Sequence, residues 1–379
     1  MTDTDTDTNS SSASPPPADT TSPWRRILVR CGLVYLFSRV CVLAGTGIVA
    51  SELIADSNTQ KSLAPTAKWA DPNYINRVMP RSAVRLIMHT LSSWDGNWYL
   101  EIIRHGYPRF VRPNVTYEVK DARAAFFPLY PLLVRGLHAI APGGEVFTAL
   151  AVNFVLGATA VLFVGLLARE LYGNDVAERS MILTAMFPGA FVLSFAYTEA
   201  LLITLAAACL WCLVRRQWVL AGVLAALATA TRPNGVAVVA ACGVASFIAI
   251  KERREWTSLV APLLSPVGVI GFQLFVDHQA NERGVWFRVQ HEAWREGTSF
   301  GMTALRRTYE AFIHPLSSPT NLVTGASVIA LVALAWCWWK FRLPATLTAY
   351  SIVVVALMLL PETVTACLLY TSDAADEGL

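Results

Sequence analysis

The sequence predicts an all-α polytopic membrane protein, a bundle of about nine transmembrane helices with a long first extracytoplasmic loop that carries interfacial helices. Two observations support this. Hydrophobic residues make up 54% of the 379-residue chain and charged residues 15%, whereas soluble domains carry roughly 25% charged residues; mean hydropathy is +0.45. The apolar residues also fall into runs, at 27–50, 145–168, 179–196, 199–214, 217–231, 235–250, 257–276, 320–340 and 345–361. A crossing helix needs roughly 17–25 residues, somewhat fewer where it is broken or paired with another. The shortest runs adjoin one another, the pattern of tight hairpins or interrupted helices that face protein.

Residues 1–23, MTDTDTDTNSSSASPPPADTTSP, form a low-complexity tract that cannot bury enough surface to fold and is expected to be disordered. The first apolar run contains Arg30 and Arg39 and lacks a small-residue cleavage site, so a retained helix is expected and no cleaved signal peptide. Basic residues then set the topology, because short basic loops stay cytoplasmic. With Arg25 and Arg26 inside, Arg169, Arg179, Arg215, Arg216, the KERRE run at 251–255, Lys340 and Arg342 all fall inside as well. The N-terminus is then cytoplasmic. The outer face holds residues 51–144, the YTE turn at 197–199, the TRPNG break at 231–235 and the loop 277–319. This register requires AFFPLYPLLVRGLHAI, residues 125–140, to lie at the interface and not to span, and its two prolines, Arg135 and His138 suit that placement.

The net charge of +3, spread between apolar segments, implies no nucleic-acid partner. The cysteines at 31, 41, 209, 212, 242, 337 and 367 lie almost entirely within apolar runs and read as small buried side chains. Even Cys209 and Cys212, spaced C-x-x-C, sit mid-helix without a polar neighbour, so no metal or redox site is expected.

The polar chemistry gathers on the predicted outer face. In SSWDGNWYLEIIRHGYP, residues 92–108, Asp95 lies between Trp94 and Gly96 and is followed by Trp98, Tyr99, Glu101, Arg104, His105 and Tyr107. On a helix Asp95, Trp98 and Tyr99 share a face. Aromatics at this density stack on a sugar ring or anchor at the headgroup level, and a merely interfacial helix with solvated acids would read the same way. Glu199 opens a helix, where a carboxylate is favoured by the dipole and capping alone accounts for it. Arg232 precedes a Pro-Asn-Gly break, with Asn234 beside it. A cation at membrane depth costs roughly 2.5–3.5 kcal/mol and normally faces a cavity or a partner. Arg232 is therefore either a phosphate ligand near Glu199 or a structurally paired arginine. The outer loop adds Gln290, His291, Trp294 and Arg295, positioned to cover a cavity or to line a solvated helix.

The motifs SWDGNWYLEIIRHGYP, AAFFPLYPLLVRGL, FPGAFVLSFAYTEALLI and LAGVLAALATATRPNGV, in this order over residues 27–301, resemble the PIG-V-type mannosyltransferase family, that is, GPI mannosyltransferase 2 and its bacterial relatives. That family belongs to the GT-C glycosyltransferases, multi-helix enzymes that use polyprenyl-phosphate sugars. The resemblance implies a GT-C-like domain over residues 24–366 and a bacterial plasma-membrane location with an extracytoplasmic site. It implies Asp95 as general base and a polyprenyl-phosphate mannose donor, with Arg232 and Arg295 on the phosphate. Trp94, Trp98, Tyr99, His105, Tyr107, Glu199, Asn234, Gln290 and Trp294 are the further substrate-binding candidates. The implied partners are membrane lipids, the lipid-linked donor and a glycan or lipid-linked acceptor; no cofactor is implied. No DxD pair occurs in the outer loops, so no metal is expected.

The C-terminus departs from the family pattern. From Cys367 the chain reads CLLYTSDAADEGL, which resembles a translated sequencing adaptor, so residues 367–379 are expected not to be native and the domain to be truncated. A transporter or flippase of lipid-linked sugars is the alternative function. It should carry charges near mid-membrane between repeated halves, and the sequence has no internal repeat. A non-catalytic scaffold of the same fold is a third.

Overall fold

The computed structural model describes residues 23–63 and 82–362, so the expected disordered tail, apart from Pro23, and the expected non-native tail lie outside the described residues. Fifteen α-helices follow one another, and among the described residues the only β pairing is an isolated bridge between Thr298 and Pro361. Helix α1 (Pro23–Leu63) leads to two short helices, α2 (Ala83–Leu91) and α3 (Asp95–His105). The chain then loops to α4 (Leu129–His138), too short to cross, and enters α5 (Gly144–Tyr172). Next come α6 (Asn174–Met186), α7 (Glu199–Val214), α8 (Trp218–Thr229) and α9 (Ala237–Arg253). Helices α10 (Val260–Leu264), α11 (Val267–Ala280), α12 (Val285–Trp294), α13 (Met302–Ile313), α14 (Pro319–Phe341) and α15 (Ala345–Leu359) are the last among the described residues.

Among the described residues, five segments are long and apolar enough to cross a bilayer: Pro23–Ser51, Gly144–Tyr172, Pro233–Arg253, Trp256–Ala280 and Thr320–Phe341. A sixth is formed if α6 and the 3-10 turn Pro188–Ser194, bent by 73°, count as one span. Helices α7, α8 and α15 are apolar but only 16, 12 and 15 residues long. The expected nine is thus five or six by length, and these three fall short of the roughly 20 residues of a straight crossing.

Small residues let the helices approach. In α9 the buried residues Ala237, Ala241, Ala245 and Ala249 recur every fourth position and form one flat face. In α5, a Cβ at Gly157 would collide with the Tyr35 hydroxyl, which donates 2.7 Å to the Phe154 carbonyl and ties α1 to α5.

The bundle has two chemically distinct ends. Arg169 at the C-terminal end of α5 stacks 4.5 Å over Trp24, Arg30 pairs with Glu178, and Trp218 donates to Glu255. Toward the other end of α5, roughly 36 Å from Arg169 by helical rise, Glu145 accepts from Arg104 of α3 at 2.8 Å. Basic residues grouped on one side by the sequence therefore meet at the first end, and the WDGNWY segment lies at the second.

The break between α6 and α7 is held by a buried arginine. Leaving the helical ladder exposes carbonyls that hydrocarbon cannot satisfy. Arg39, only 4% exposed within α1, donates to the Ala190 carbonyl and Ser194 Oγ at 2.8 Å each, and to Ser38 Oγ at 2.9 Å. Replacing Arg39 by alanine orphans the Ala190 carbonyl and opens a void, a combined loss of about 2–4 kcal/mol. The midpoint of thermal unfolding in detergent should fall by several degrees; an unchanged midpoint would mean that the turn finds other donors.

Candidate functional site

Three interruptions of the helices meet at one point. The first is the junction between α2 and α3. Trp94 caps α3 with a positive φ of 53°, an unusual backbone for a bulky residue that costs about 1–3 kcal/mol. This turn sets Asp95 as the first residue of α3, where the helix dipole favours a carboxylate. The Trp94 ring stacks on Phe195 with centroids 5.9 Å apart. Asp95 is 4% exposed.

The second interruption is the segment 195–198 before α7. Its backbone is fastened from two sides: the Ala196 amide donates to the Leu91 carbonyl at 2.8 Å, and Tyr197 Oη donates to the Ser93 carbonyl at 3.2 Å. From α5, the wholly buried Asn153 donates through Nδ2 to the carbonyls of Phe195 and Tyr197. These bonds fix Thr198 and Glu199 at the start of α7. The third interruption lies between α8 and α9. Pro233 removes an amide, Gly235 packs against the last turn of α8 where a Cβ would clash, and Arg232 is left in extended backbone before the turn.

Arg232 joins the three. Its Nη1 pairs with Glu199 Oε1 and lies 3.4 Å from Thr198 Oγ1, and its Nη2 lies 3.9 Å from Asp95 Oδ2. Thr198 Oγ1 is in turn 3.2 Å from Tyr99 Oη. Two carboxylates thus share one guanidinium. Glu199 Oε2 is buried and has no hydrogen-bond partner among the described residues. Burial above all, opposed by Arg232 and reinforced by Asp95 and Glu199, pushes the Tyr99 hydroxyl above its ordinary range. Tyr99 is therefore a neutral phenol here, and either it or Thr198 donates in the contact between them.

An aromatic wall adjoins this cluster. Trp98 stacks on Phe126 at 5.7 Å, and Trp294 of α12 meets both edge-on, at 5.9 and 5.6 Å. Helix α12 is drawn there by Trp286, whose indole donates to the Ala125 carbonyl at 2.9 Å, and by Glu292, which accepts from the Val115 amide at 3.0 Å.

The structure thus brings together Asp95, Tyr99, Glu199 and Arg232; Trp94 adjoins Asp95 in the chain, and Trp98 and Trp294 connect to the cluster through Phe126, which meets the Tyr99 ring edge-on at 5.2 Å. It does not bring in every sequence candidate. His105 is half-exposed and its Nδ1 lies 3.0 Å from Glu101 Oε2. Tyr107 donates 2.6 Å to the Phe126 carbonyl and packs on Phe272 and Phe275, holding the loop. Arg295 is exposed at the end of α12 and makes no ion pair among the described residues. Asn234 and Gln290 are half-buried and make no side-chain hydrogen bond to the cluster among the described residues. Sequence reasoning missed Thr198, Asn153 and Arg39. A lone Asn in the apolar run of α5 and the more deeply placed of two arginines in that of α1 were the available signals. No group of three or more His, Cys, Asp or Glu able to hold a metal occurs among the described residues.

Residues 124–278 match the family described as dolichyl-phosphate-mannose-protein mannosyltransferase. The match covers less than half of the chain; Glu199 and Arg232 lie inside it and Asp95 outside. It supports a GT-C mannosyltransferase-like chain, and with the apolar helices it indicates an integral membrane protein. No curated protein matches the chain, and no solved structure does.

Because the Tyr99 hydroxyl titrates above its ordinary value near 10, it stays protonated across neutral and moderately alkaline pH. Removing it with Tyr99→Phe should lower activity several-fold without changing the shape of the pH–rate profile between about pH 6 and 9. A limb that disappears from the profile in this variant would assign Tyr99 an ionising role.

Proposed function

We propose that this protein is a glycosyltransferase that moves mannose from a polyprenyl-phosphate carrier to a hydroxyl of an extracytoplasmic acceptor, with inversion. The observation that carries this is the convergence of Asp95, Glu199 and Arg232 from three helix breaks, beside stacked tryptophans and at the opposite end from the basic pairs. That end faces out if the basic residues mark the cytoplasmic side. The similarity to a mannosyltransferase family supports the donor class. The PIG-V-type relationship and a bacterial plasma membrane belong to the same proposal.

In this mechanism Asp95 accepts the proton of the acceptor hydroxyl. The hydroxyl oxygen attacks the anomeric carbon from the face opposite the phosphate, and the bond from that carbon to the phosphate oxygen breaks. The lipid phosphate leaves with the electron pair. A phosphate leaves readily if cations meet its developing charge, so a positioned base and a cationic donor side suffice without a metal. Arg232 is the cation nearest the reacting groups, and Arg295 lies on the helix that carries Trp294. Trp294, partly exposed beside the buried Trp98, is the aromatic surface for a sugar ring. The unpartnered Glu199 Oε2 is an acceptor suited to a sugar hydroxyl.

Asp95→Asn keeps the shape of the side chain and removes the base, so transfer from radiolabelled polyprenyl-phosphate mannose in membranes should drop by roughly 10²- to 10⁴-fold at normal expression. Near-normal turnover would take the base role away from Asp95. Arg232→Ala should raise the KM for the donor at least tenfold, and Arg232→Lys should rescue it poorly, because an ammonium cannot span two carboxylates as the planar guanidinium does. A change confined to acceptor affinity would refute the phosphate assignment. Mass spectrometry of cell-envelope glycans with and without the gene identifies the sugar and the acceptor.

A further inference from the structure

We infer that α13 is an in-plane membrane helix whose apolar stripe inserts among lipid acyl chains at the bilayer surface. Met302, Leu305, Tyr309, Phe312 and Ile313 are each at least half exposed, from 50% to 67%. At 100° per residue they fall within an arc of about 100°. Such a continuous apolar stripe open to the surroundings needs an occupant. The other side differs in kind: Ala311 is buried against the body, and Thr303, Arg307 and Glu310 lie on or beside that side. Arg306, on the flank, bridges to Glu310 at 2.9 Å.

The occupant follows from where the helix is fixed. Helix α14 contains the candidate span Thr320–Phe341. The connector between the two helices is folded, not extended. Asn321 Nδ2 donates to the His314 carbonyl and to Ser317 Oγ, at 3.0 Å each, and the Ser317 amide donates back to the His314 carbonyl at 3.2 Å. These bonds clasp the C-terminal end of α13 to the first turn of a membrane span, so α13 lies at the bilayer boundary. A helix there with one apolar face, an aromatic and arginines beside it has the composition of an interfacial helix, with the arginines at the level of the lipid phosphates. The occupant is the lipid surface. This goes beyond the transferase reading and does not depend on it.

The test is spin-label accessibility on the full chain in phosphatidylcholine/phosphatidylglycerol nanodiscs. Cys41, Cys337 and Cys367 are replaced by alanine, leaving the buried Cys31, Cys209, Cys212 and Cys242 in place. Labels at Leu305→Cys and Tyr309→Cys should collide several-fold more often with oxygen than with a water-soluble nickel chelate, and a label at Thr303→Cys should show the reverse. Labels at 305 and 309 that meet the chelate more often than oxygen place the stripe in water and overturn the proposal; labels that meet neither show it covered by protein and overturn it equally. The unaltered chain gives a second measurement that needs no variant. Under hydroxyl-radical footprinting in the same nanodiscs, Met302 and Tyr309 should be oxidised several-fold more slowly than the exposed loop residue Tyr117. Equal rates refute lipid burial.

Discussion

A backbone that leaves the helical ladder inside a membrane has to find new hydrogen-bond partners within the protein, and this one constraint shapes the molecule. Three breaks, before α3, before α7 and before α9, each expose peptide groups and each is fastened by a specific donor or by close packing. Arg39 and Asn153 supply donors to the turn and segment before α7. The Leu91 carbonyl takes an amide of the same segment and so joins the first break to the second. Gly235 allows the third break to lie directly on α8. Irregular backbone survives at such depth only where it is enclosed by protein, so the breaks gather in one place, and the side chains they carry gather with them.

That clustering explains how residues 95, 198, 199 and 232 come to meet although they are far apart in the chain. Asp95 and Glu199 both begin helices, and Arg232 precedes one. Helix starts present unpaired amides and a partial positive charge, which suits the two carboxylates. The arginine has no such compensation from its own element and takes it from the carboxylates. Each acid is therefore held twice, by its helix and by Arg232, which limits how far either can move. The backbone at Trp94 shows that holding Asp95 in place has a cost: a bulky residue with φ of 53° persists only where its surroundings impose it. Here they do so through the stacked Phe195 and the bonded Leu91 and Ser93 carbonyls.

Helix positions were largely legible in the sequence because prolines, glycines and charges end the apolar runs. The run 199–214 coincides with α7, and 145–168 lies within α5. Bends inside runs were less legible. The run 179–196 is one apolar stretch in sequence, but Pro188 removes an amide and turns the chain by 73°. Likewise 257–276 divides at Pro266 into α10 and α11. At the site, Asp95, Glu199 and Arg232 stood out because charge beside apolar runs is costly and rare. Thr198 and Asn153 did not. A threonine at a helix start and one amide in an apolar helix acquire meaning only from contacts across long stretches of sequence, which local pattern does not contain. His105 misled for the converse reason: its neighbours on the helix suggested the site, but its ring turns to Glu101, one helical turn back.

The sharing of Arg232 constrains how a phosphate could bind. Asp95 and Glu199 both flank the guanidinium, and a lipid phosphate would bring a further acidic group to it. Unit charges 4 Å apart interact by about 4 kcal/mol at an effective dielectric near 20, too much for an arriving anion to ignore. If Arg232 holds the donor phosphate as proposed, it does so by exchange, with Glu199 releasing the guanidinium and turning to another donor. A sugar hydroxyl is such a donor, and it arrives on the same molecule as the phosphate. Under the proposed mechanism the ion pair between Glu199 and Arg232 would give way to two pairs on donor binding: arginine with phosphate, and glutamate with sugar. Asp95, held 3.9 Å from the guanidinium, would not have to move in this exchange and would keep the base role proposed for it. An arginine shared by two acids is thus a poor standing receptor for a bare anion, and the proposed donor, which brings a hydroxyl and a phosphate together, would meet both partners of the pair.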